Sequence, residues 1–151
     1  MEVTCECGRT RFTTPQAEPV DIWICYCDAD KMSSGGACRI NVFFDAETSQ
    51  TYDAYLNGLG NGAHLRRYVR TTGSGHRVER VFCGECAVTV AIKPPASAPR
   101  QPWVAVPAPC IVGFDWERLK DTEKVIHCWT SKAILSTAIP EGIRHFAEQP
   151  T

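Results

Sequence analysis

Two dicysteine elements carry the chemistry most plainly: Cys5-Glu6-Cys7-Gly8 near the N-terminus and Cys83-Gly84-Glu85-Cys86 past the middle. Four thiolates delivered by two short hairpin loops suit a closed tetrahedral zinc site, with bonds of about 2.3 Å and no position left for water. Gly8 and Gly84 would let the backbone turn its N–H groups toward sulfur without steric penalty. Such a site is structural, tying the N-terminal segment to a central hairpin, so its binding energy becomes folding energy. Between the two pairs lies a third cluster, Cys25-Tyr26-Cys27-Asp28-Ala29-Asp30, with too few thiols to close a site of its own. An incomplete donor set leaves room for a substrate, and one closed plus one open site points to an enzyme.

Other residues are weaker candidates. His127, beside Cys128 and Trp129, has a side chain suited to general acid or base work near neutral pH, though a packed histidine fits the same context. His76 follows a glycine-rich turn and could reach a ligand, with surface exposure the plainer expectation; His64 and His145 are expected to be solvated. Cys38, Cys110 and Cys128 sit in apolar, strand-like contexts and read as inert core thiols. Glu85, between two zinc cysteines, reads as an exposed loop residue. Lys31, Arg39, Arg66 and Arg67 would suit an anionic substrate or an ordinary charged surface. Trp23, Trp103, Trp116 and Trp129, with Phe43 and Phe44, are expected in the core, one or two of them lining a pocket.

The elements that must position these groups are short. Val20–Cys25, Arg39–Phe44, Leu65–Arg70, Arg77–Phe82, Val88–Ile92, Trp103–Val106 and Lys124–Trp129 read as strands, several alternating apolar with polar residues. Asp28–Ser34 and Asp115–Lys120 read as brief helices, and Pro140–Phe146 as a final turn. Asn57–Gly62 and Thr71–Gly75 are turn-rich. Six of the ten prolines fall between Lys93 and Cys110, which implies an irregular loop around a short strand. A chain of 151 residues fits one domain, 1–151, able to bury a core without staples.

With a formal net charge of −1, no basic face for nucleic acid or anionic membrane is implied. No apolar run reaches the roughly 18 residues of a transmembrane helix, and the N-terminus carries no secretory pattern. Nine cysteines, an odd number, then argue for metal ligation or thiol chemistry in a reducing, cytoplasmic compartment. The expected partner is a small molecule; a homodimer is open.

In order, Cys-x-Cys-Gly, Cys-x-Cys-x-x-ligand and Phe82-Cys83-x-x-Cys86 resemble the glutathione-dependent formaldehyde-activating enzyme family, which includes the centromere protein V-like domain. Ser34-Gly35, Arg66-Arg67-Tyr68, Gly73-Ser74-Gly75 and His127-Cys128-Trp129-Thr130-Ser131-Lys132 extend the likeness, and Ile139–Phe146 resembles the family's tail. The likeness runs from Thr4 to Pro150. It implies a mainly β, β-tent zinc fold of several short antiparallel sheets with few short helices. It also implies carbon–sulfur lyase chemistry, in which glutathione and formaldehyde combine into S-hydroxymethylglutathione. The structural zinc would sit on Cys5, Cys7, Cys83 and Cys86. The catalytic zinc would sit on three cysteines of the middle motif, of which this chain keeps Cys25 and Cys27 and has Asp30 at the third position.

Aspartate is a competent zinc ligand at about 2.0–2.2 Å. Exchanging a thiolate for it hardens the donor set, loosens the metal and makes it the stronger Lewis acid. Asp30 as a solvated loop or helix-cap carboxylate, with the second site lost, is the alternative; Asp28 as ligand does not fit the register. Three functions follow. The first is the family reaction on a small carbonyl compound or its glutathione adduct, with glutathione as co-substrate. The second is a diverged zinc lyase, dehydratase or isomerase acting on a small metabolite in a biosynthetic pathway, with His127 or a metal-bound water moving a proton. The third is a non-catalytic, zinc-stabilised binding module.

Overall fold

The computed structural model describes residues 1–46, 62–94, 103–134 and 141–148. Strands dominate: β1 (Glu2–Thr4), β2 (Arg11–Thr13), β3 (Asp21–Cys25), β4 (Arg39–Asp45), β5 (Leu65–Thr71), β6 (Arg77–Cys83), β7 (Thr89–Lys93), β8 (Trp103–Pro107), β9 (Val125–Cys128) and β10 (Arg144–His145). The α-helix α1 spans Asp28–Ser34, and Trp116–Lys120 forms a 3₁₀ turn where a brief helix is expected. The protein is thus mainly β, with the seven expected strands in place within a residue or two.

Those strands join one sheet in the order β10-β9-β3-β4-β8-β7-β6-β5, while β1 and β2 form a separate hairpin. The large sheet is mixed: β3 pairs with β9 in parallel, Cys25 beside Cys128, and β9 pairs in parallel with β10. The short strand β10 replaces part of the turn expected over Pro140–Phe146; Pro140 itself lies outside the described residues, as do 57–61 of the first glycine-rich stretch. The hairpin β1–β2 is not anticipated, because each strand has only three residues, too few to show a period. It attaches through the bridge Val3–Ile111 and the hydrogen bond from Val112 N to Glu2 O at 2.9 Å.

Alternation along the strands decides what is buried. Val42, Phe44, Val81, Val104, Val106 and Val125 enter a cluster that also takes Val3 from the hairpin and Ile143 from beside β10. Helix α1 begins at Cys27, immediately after β3, and stops at Gly35, whose φ of 68° is the left-handed ending glycine tolerates best. Asp30 is the helix's buried residue, so a carboxylate points into the protein close to Cys25, which ends β3, and Cys27, which caps α1. Among the described residues, no helix is long and apolar enough to cross a membrane.

Candidate metal centres

The first centre is built by two hairpin loops. Cys5 and Cys7 lie in the loop between β1 and β2; Cys83 ends β6, and Cys86 precedes β7. All four sulfurs lie within 4.8 Å of one another, with Cys5–Cys7 at 3.5 Å and Cys7–Cys83 at 3.8 Å. A tetrahedral site with zinc–sulfur bonds of about 2.3 Å has edges of about 3.8 Å, so this donor set fits zinc. Backbone N–H groups surround it, Thr10 N donating to Cys5 Sγ at 3.3 Å. Burial opposes ionisation of Cys83, but the N–H groups of Cys86 and Glu85 and the Thr10 hydroxyl bring its thiol down to about 6. Burial likewise opposes ionisation of Cys5, and the Thr10 N–H and the Cys7 thiol more than offset it, so its thiol also lies below the ordinary value. The Arg9 N–H favours the Cys7 thiolate, yet the neighbouring sulfur of Cys5 drives Cys7 up to about 12. Crowded thiols divided between high and low values are what an anionic pocket shows before a cation neutralises it.

The two glycines serve this loop pair differently. Gly8 has φ of 71°, the torsion argument as expected. Gly84 is held by space instead: a Cβ there would meet the His64 carbonyl oxygen at 2.4 Å, and Gly84 N donates to that same oxygen at 2.8 Å. His64, expected to be solvated, is half-buried, with Nε2 3.0 Å from Thr10 Oγ1, and so braces the loop that binds Cys5. Glu85 is exposed as expected, 4.0 Å from Arg9.

The second centre gathers the donors of Cys25, Cys27 and Asp30 within 4.8 Å of one another. It differs in what surrounds it. The Asp30 Oδ1 faces Arg39 at 3.4 Å, Arg80 at 3.9 Å and Arg70 at 4.0 Å, and Oδ2 accepts from Asn41 Nδ2 at 3.3 Å. The alternative of a solvated Asp30 therefore does not describe this carboxylate, which is 6% exposed. Arg39 and Arg80 come from β4 and β6, which stand three strand spacings apart in the sheet, about 14 Å if it were flat. Both reach one oxygen, so the sheet must curl around α1. Arg39 was a candidate from sequence; Arg70, Arg80 and Asn41 were not, because only the curl brings them there. The pairing of Cys25 with Arg39 across β3 and β4 was the available signal.

Ionisation at this centre is suppressed. Contact with the Cys128 thiol, then burial and the Asp30 charge, push the Cys25 thiol up; the neighbouring Cys25, burial and Asp30 do the same to Cys27. These thiols would need a bound cation to become thiolates, so the donor set fits zinc in chemistry while lacking the N–H cage of the first centre.

Cys25, Cys27, Asp30 and Cys128 line a cavity of about 1070 Å³. One wall is aromatic, Trp23 lying 4.5 Å from Phe43 and Phe43 5.2 Å from Trp103, centroid to centroid. The lining also includes Gly73, Ser74, His76, Arg77 and Lys132. Trp129 closes one side from an unusual backbone, φ 59° and ψ 38°, and a Cβ on Gly73 would come within 2.8 Å of its indole. None of the four cysteines of the first centre is among the lining residues.

His127, the candidate acid or base, is not among the residues that line the cavity. It is buried on β9, its Nδ1 2.9 Å from the Tyr26 hydroxyl, and successive strand residues point to opposite faces, so it faces away from Cys128 and the cavity. Burial, with the His145 charge, lowers its basicity below the ordinary value. Of the other candidates, Lys31 pairs with Asp28 at 3.0 Å, Arg67 with Glu79 at 3.3 Å, and Arg66 is exposed beside its own strand. Cys110 is buried, its thiol raised by burial to about 11, as an inert core thiol should be; Cys38 is partly exposed, its thiol likewise raised by burial.

A small, mainly β protein with one four-sulfur cluster outside a cavity and a second thiol cluster on the cavity wall belongs to a narrow class. Residues 1–132 match the glutathione-dependent formaldehyde-activating enzyme family, and the chain is a member of it. The match ends at Lys132, so the tail likeness beyond it is not part of the matched span. No curated protein matches the chain.

Proposed function

We propose that the chain is a zinc-dependent enzyme of carbon–sulfur lyase type, acting on a small carbonyl compound or its glutathione adduct. The observation that carries this reading is the unequal placement of the clusters: Cys25 and Cys27 open onto the cavity, and the four-cysteine cluster does not. Cys5, Cys7, Cys83 and Cys86 would hold a structural zinc; Cys25 and Cys27, with a third donor beside them, a catalytic one. Asp30 is the oxygen donor nearest to hand. When bound there, zinc would supply Lewis-acid polarisation of a substrate oxygen or sulfur.

The protein's own residues do the rest. In the family reaction the thiol adds across the carbonyl: a sulfur–carbon bond forms, and the thiol proton ends on the carbonyl oxygen. The reverse step breaks that bond and returns the proton. Arg77 on the cavity lining suits a carboxylate of a peptide-like thiol, while Lys132 pairs with Asp28 at 2.6 Å. Trp129 and the aromatic wall exclude water from the reacting end. His127 acts here as a positioning residue: its bond to Tyr26 fixes the residue between the two cysteine ligands.

The aromatic row Trp23–Phe43–Trp103 favours a second reading, a diverged lyase or isomerase acting on a flat, apolar-bodied metabolite without glutathione. Formaldehyde consumption with and without glutathione separates the two. The expected result is glutathione-dependent turnover, abolished in Cys27→Ala, which still retains one zinc per chain. Turnover by Cys27→Ala at the wild-type rate would refute the assignment of the open site.

A further inference from the structure

Cys128, expected to be an inert core thiol, stands beside the open centre. Strands β3 and β9 run parallel with Cys25 in register with Cys128, and in-register residues on neighbouring strands share a face about 4.8 Å apart. Cys128 lines the cavity with Cys25 and Cys27 although its relative exposure is 0%. Asp30, by contrast, is already engaged. Three guanidinium groups face its Oδ1 and Asn41 donates to Oδ2. Arg39 is 4% exposed and its Nη1 has no hydrogen-bond partner among the described residues. An Asp30 oxygen already lies within 4.8 Å of both sulfurs, but a metal bound there would share the carboxylate with Arg39 and weaken the counter-charge of a buried cation.

We propose that Cys128 is the third protein ligand of the open zinc site, a sulfur from β9 standing in for the one that Asp30 cannot be. The centre is then a three-thiolate site assembled from β3, the start of α1 and β9, and Asp30 is a positioning residue that anchors the arginines and α1. This rests on zinc binding at Cys25 and Cys27, as proposed above. The Cys128 sulfur does not fall within 4.8 Å of every donor in the Cys25–Cys27–Asp30 group. Cys25, Cys27 and Cys128 are not a set whose sulfurs all lie within 4.8 Å of one another, so closing the triad requires side-chain movement, for which the half-buried Cys27 is the least confined of the three. Three soft donors hold zinc more firmly than two thiolates and a carboxylate, and the fourth position still faces the cavity.

The test is zinc per chain and competition against a chromophoric chelator for wild type, Cys128→Val and Asp30→Asn, with cadmium NMR of the wild type. The four-cysteine zinc serves as the folding control, since a variant that keeps it has kept the β1–β2 hairpin. Wild type should bind two zincs. Cys128→Val should keep one and lose the second. Asp30→Asn should keep both, the second weakened by no more than the roughly 10–100-fold that losing an outer partner costs. Cadmium at the second site should resonate where three thiolates place it, a readout that needs no variant to fold. A second zinc held by Cys128→Val at wild-type affinity, or a cadmium resonance typical of two thiolates, overturns the inference while leaving the open-site reading intact. A wild type that never exceeds one zinc, even with zinc added, overturns both.

Discussion

The two cysteine clusters use the same donor chemistry in opposite surroundings. Around Cys5, Cys7, Cys83 and Cys86 the backbone aims N–H groups at sulfur, and two of the four thiols, Cys5 and Cys83, ionise more readily than usual. Around Cys25 and Cys27 the dominant neighbours are other thiols and a carboxylate, which the Asp30 N–H offsets only slightly at Cys27, and both thiols resist ionisation. The lesson is that a thiol count does not define a site; the polarity of its surroundings does. The first cluster is prepared for a metal by the fold itself. The thiols of the second become thiolates only when a metal arrives, and the carboxylate beside them is paired with three arginines. A metal that must remain accessible to substrate belongs in the second kind of surrounding.

Metal removal is the harshest way to break this comparison and carries the largest effect. On titration with a strong chelator, the cavity-side zinc should leave first with far-UV circular dichroism unchanged. Removal of the second equivalent should unfold the hairpin β1–β2 and much of the sheet, since structural zinc in small peptides contributes roughly 10–16 kcal/mol. Both zincs leaving together, or an intact spectrum at zero zinc, would erase the distinction between the sites.

Next in size is Asp30→Ala. The substitution leaves Arg39 buried and Arg70 and Arg80 mostly buried without their counter-charge, and breaking such a cluster from one side costs about 3–5 kcal/mol. Urea denaturation should show that loss, and Asp30→Ala combined with Arg39→Met should recover part of it. An additive double variant would mean that the arginines do not depend on Asp30.

Two glycines sharpen the comparison at smaller scale. Gly84→Ala drives a Cβ against the His64 carbonyl, backbone against backbone, and should cost about 2–3 kcal/mol while loosening the first zinc. Gly73→Ala meets only the outer edge of the Trp129 indole, which can tilt. Its stability should change by less than about 1 kcal/mol, with the effect appearing in KM because Trp129 borders the cavity. Thermal denaturation together with steady-state kinetics would show whether the two separate in this way.

Much of this was legible in the chain. The first cluster needs only ligand spacing and hairpin ends, both local. The strands from Asp21 to Cys128 show their period and appear close to where the alternation puts them. What the sequence could not convey is pairing at a distance. That β9 lies parallel to β3 is a property of sheet order, and it alone turns Cys128 from a core thiol into a neighbour of Cys25. Likewise the curl that brings Arg70 and Arg80 onto Asp30 depends on strands far apart in sequence, so a carboxylate at a ligand position looked free to bind metal. His127 lies off the cavity lining for a simpler reason: strand alternation puts adjacent residues on opposite faces, and Cys128 takes the cavity side.

The smallest effect tests whether Tyr26 and His127 serve the open site alone. Tyr26 stands between Cys25 and Cys27, and its hydroxyl lies 2.9 Å from His127 Nδ1 in a buried pair. Tyr26→Phe keeps the ring and its packing against the imidazole but removes one hydrogen bond, a change of about 0.5–1.5 kcal/mol. Because the bond fixes the residue between two ligands, part of that loss should appear as weaker binding of the cavity-side zinc. A zinc at the four-cysteine cluster, which is carried by other loops, should be unaffected. Chelator competition resolves the two equivalents separately, so one titration reads both. Equal weakening at both sites would show that Tyr26 acts through general stability, and the division of labour between the clusters would then not extend to the residues behind them.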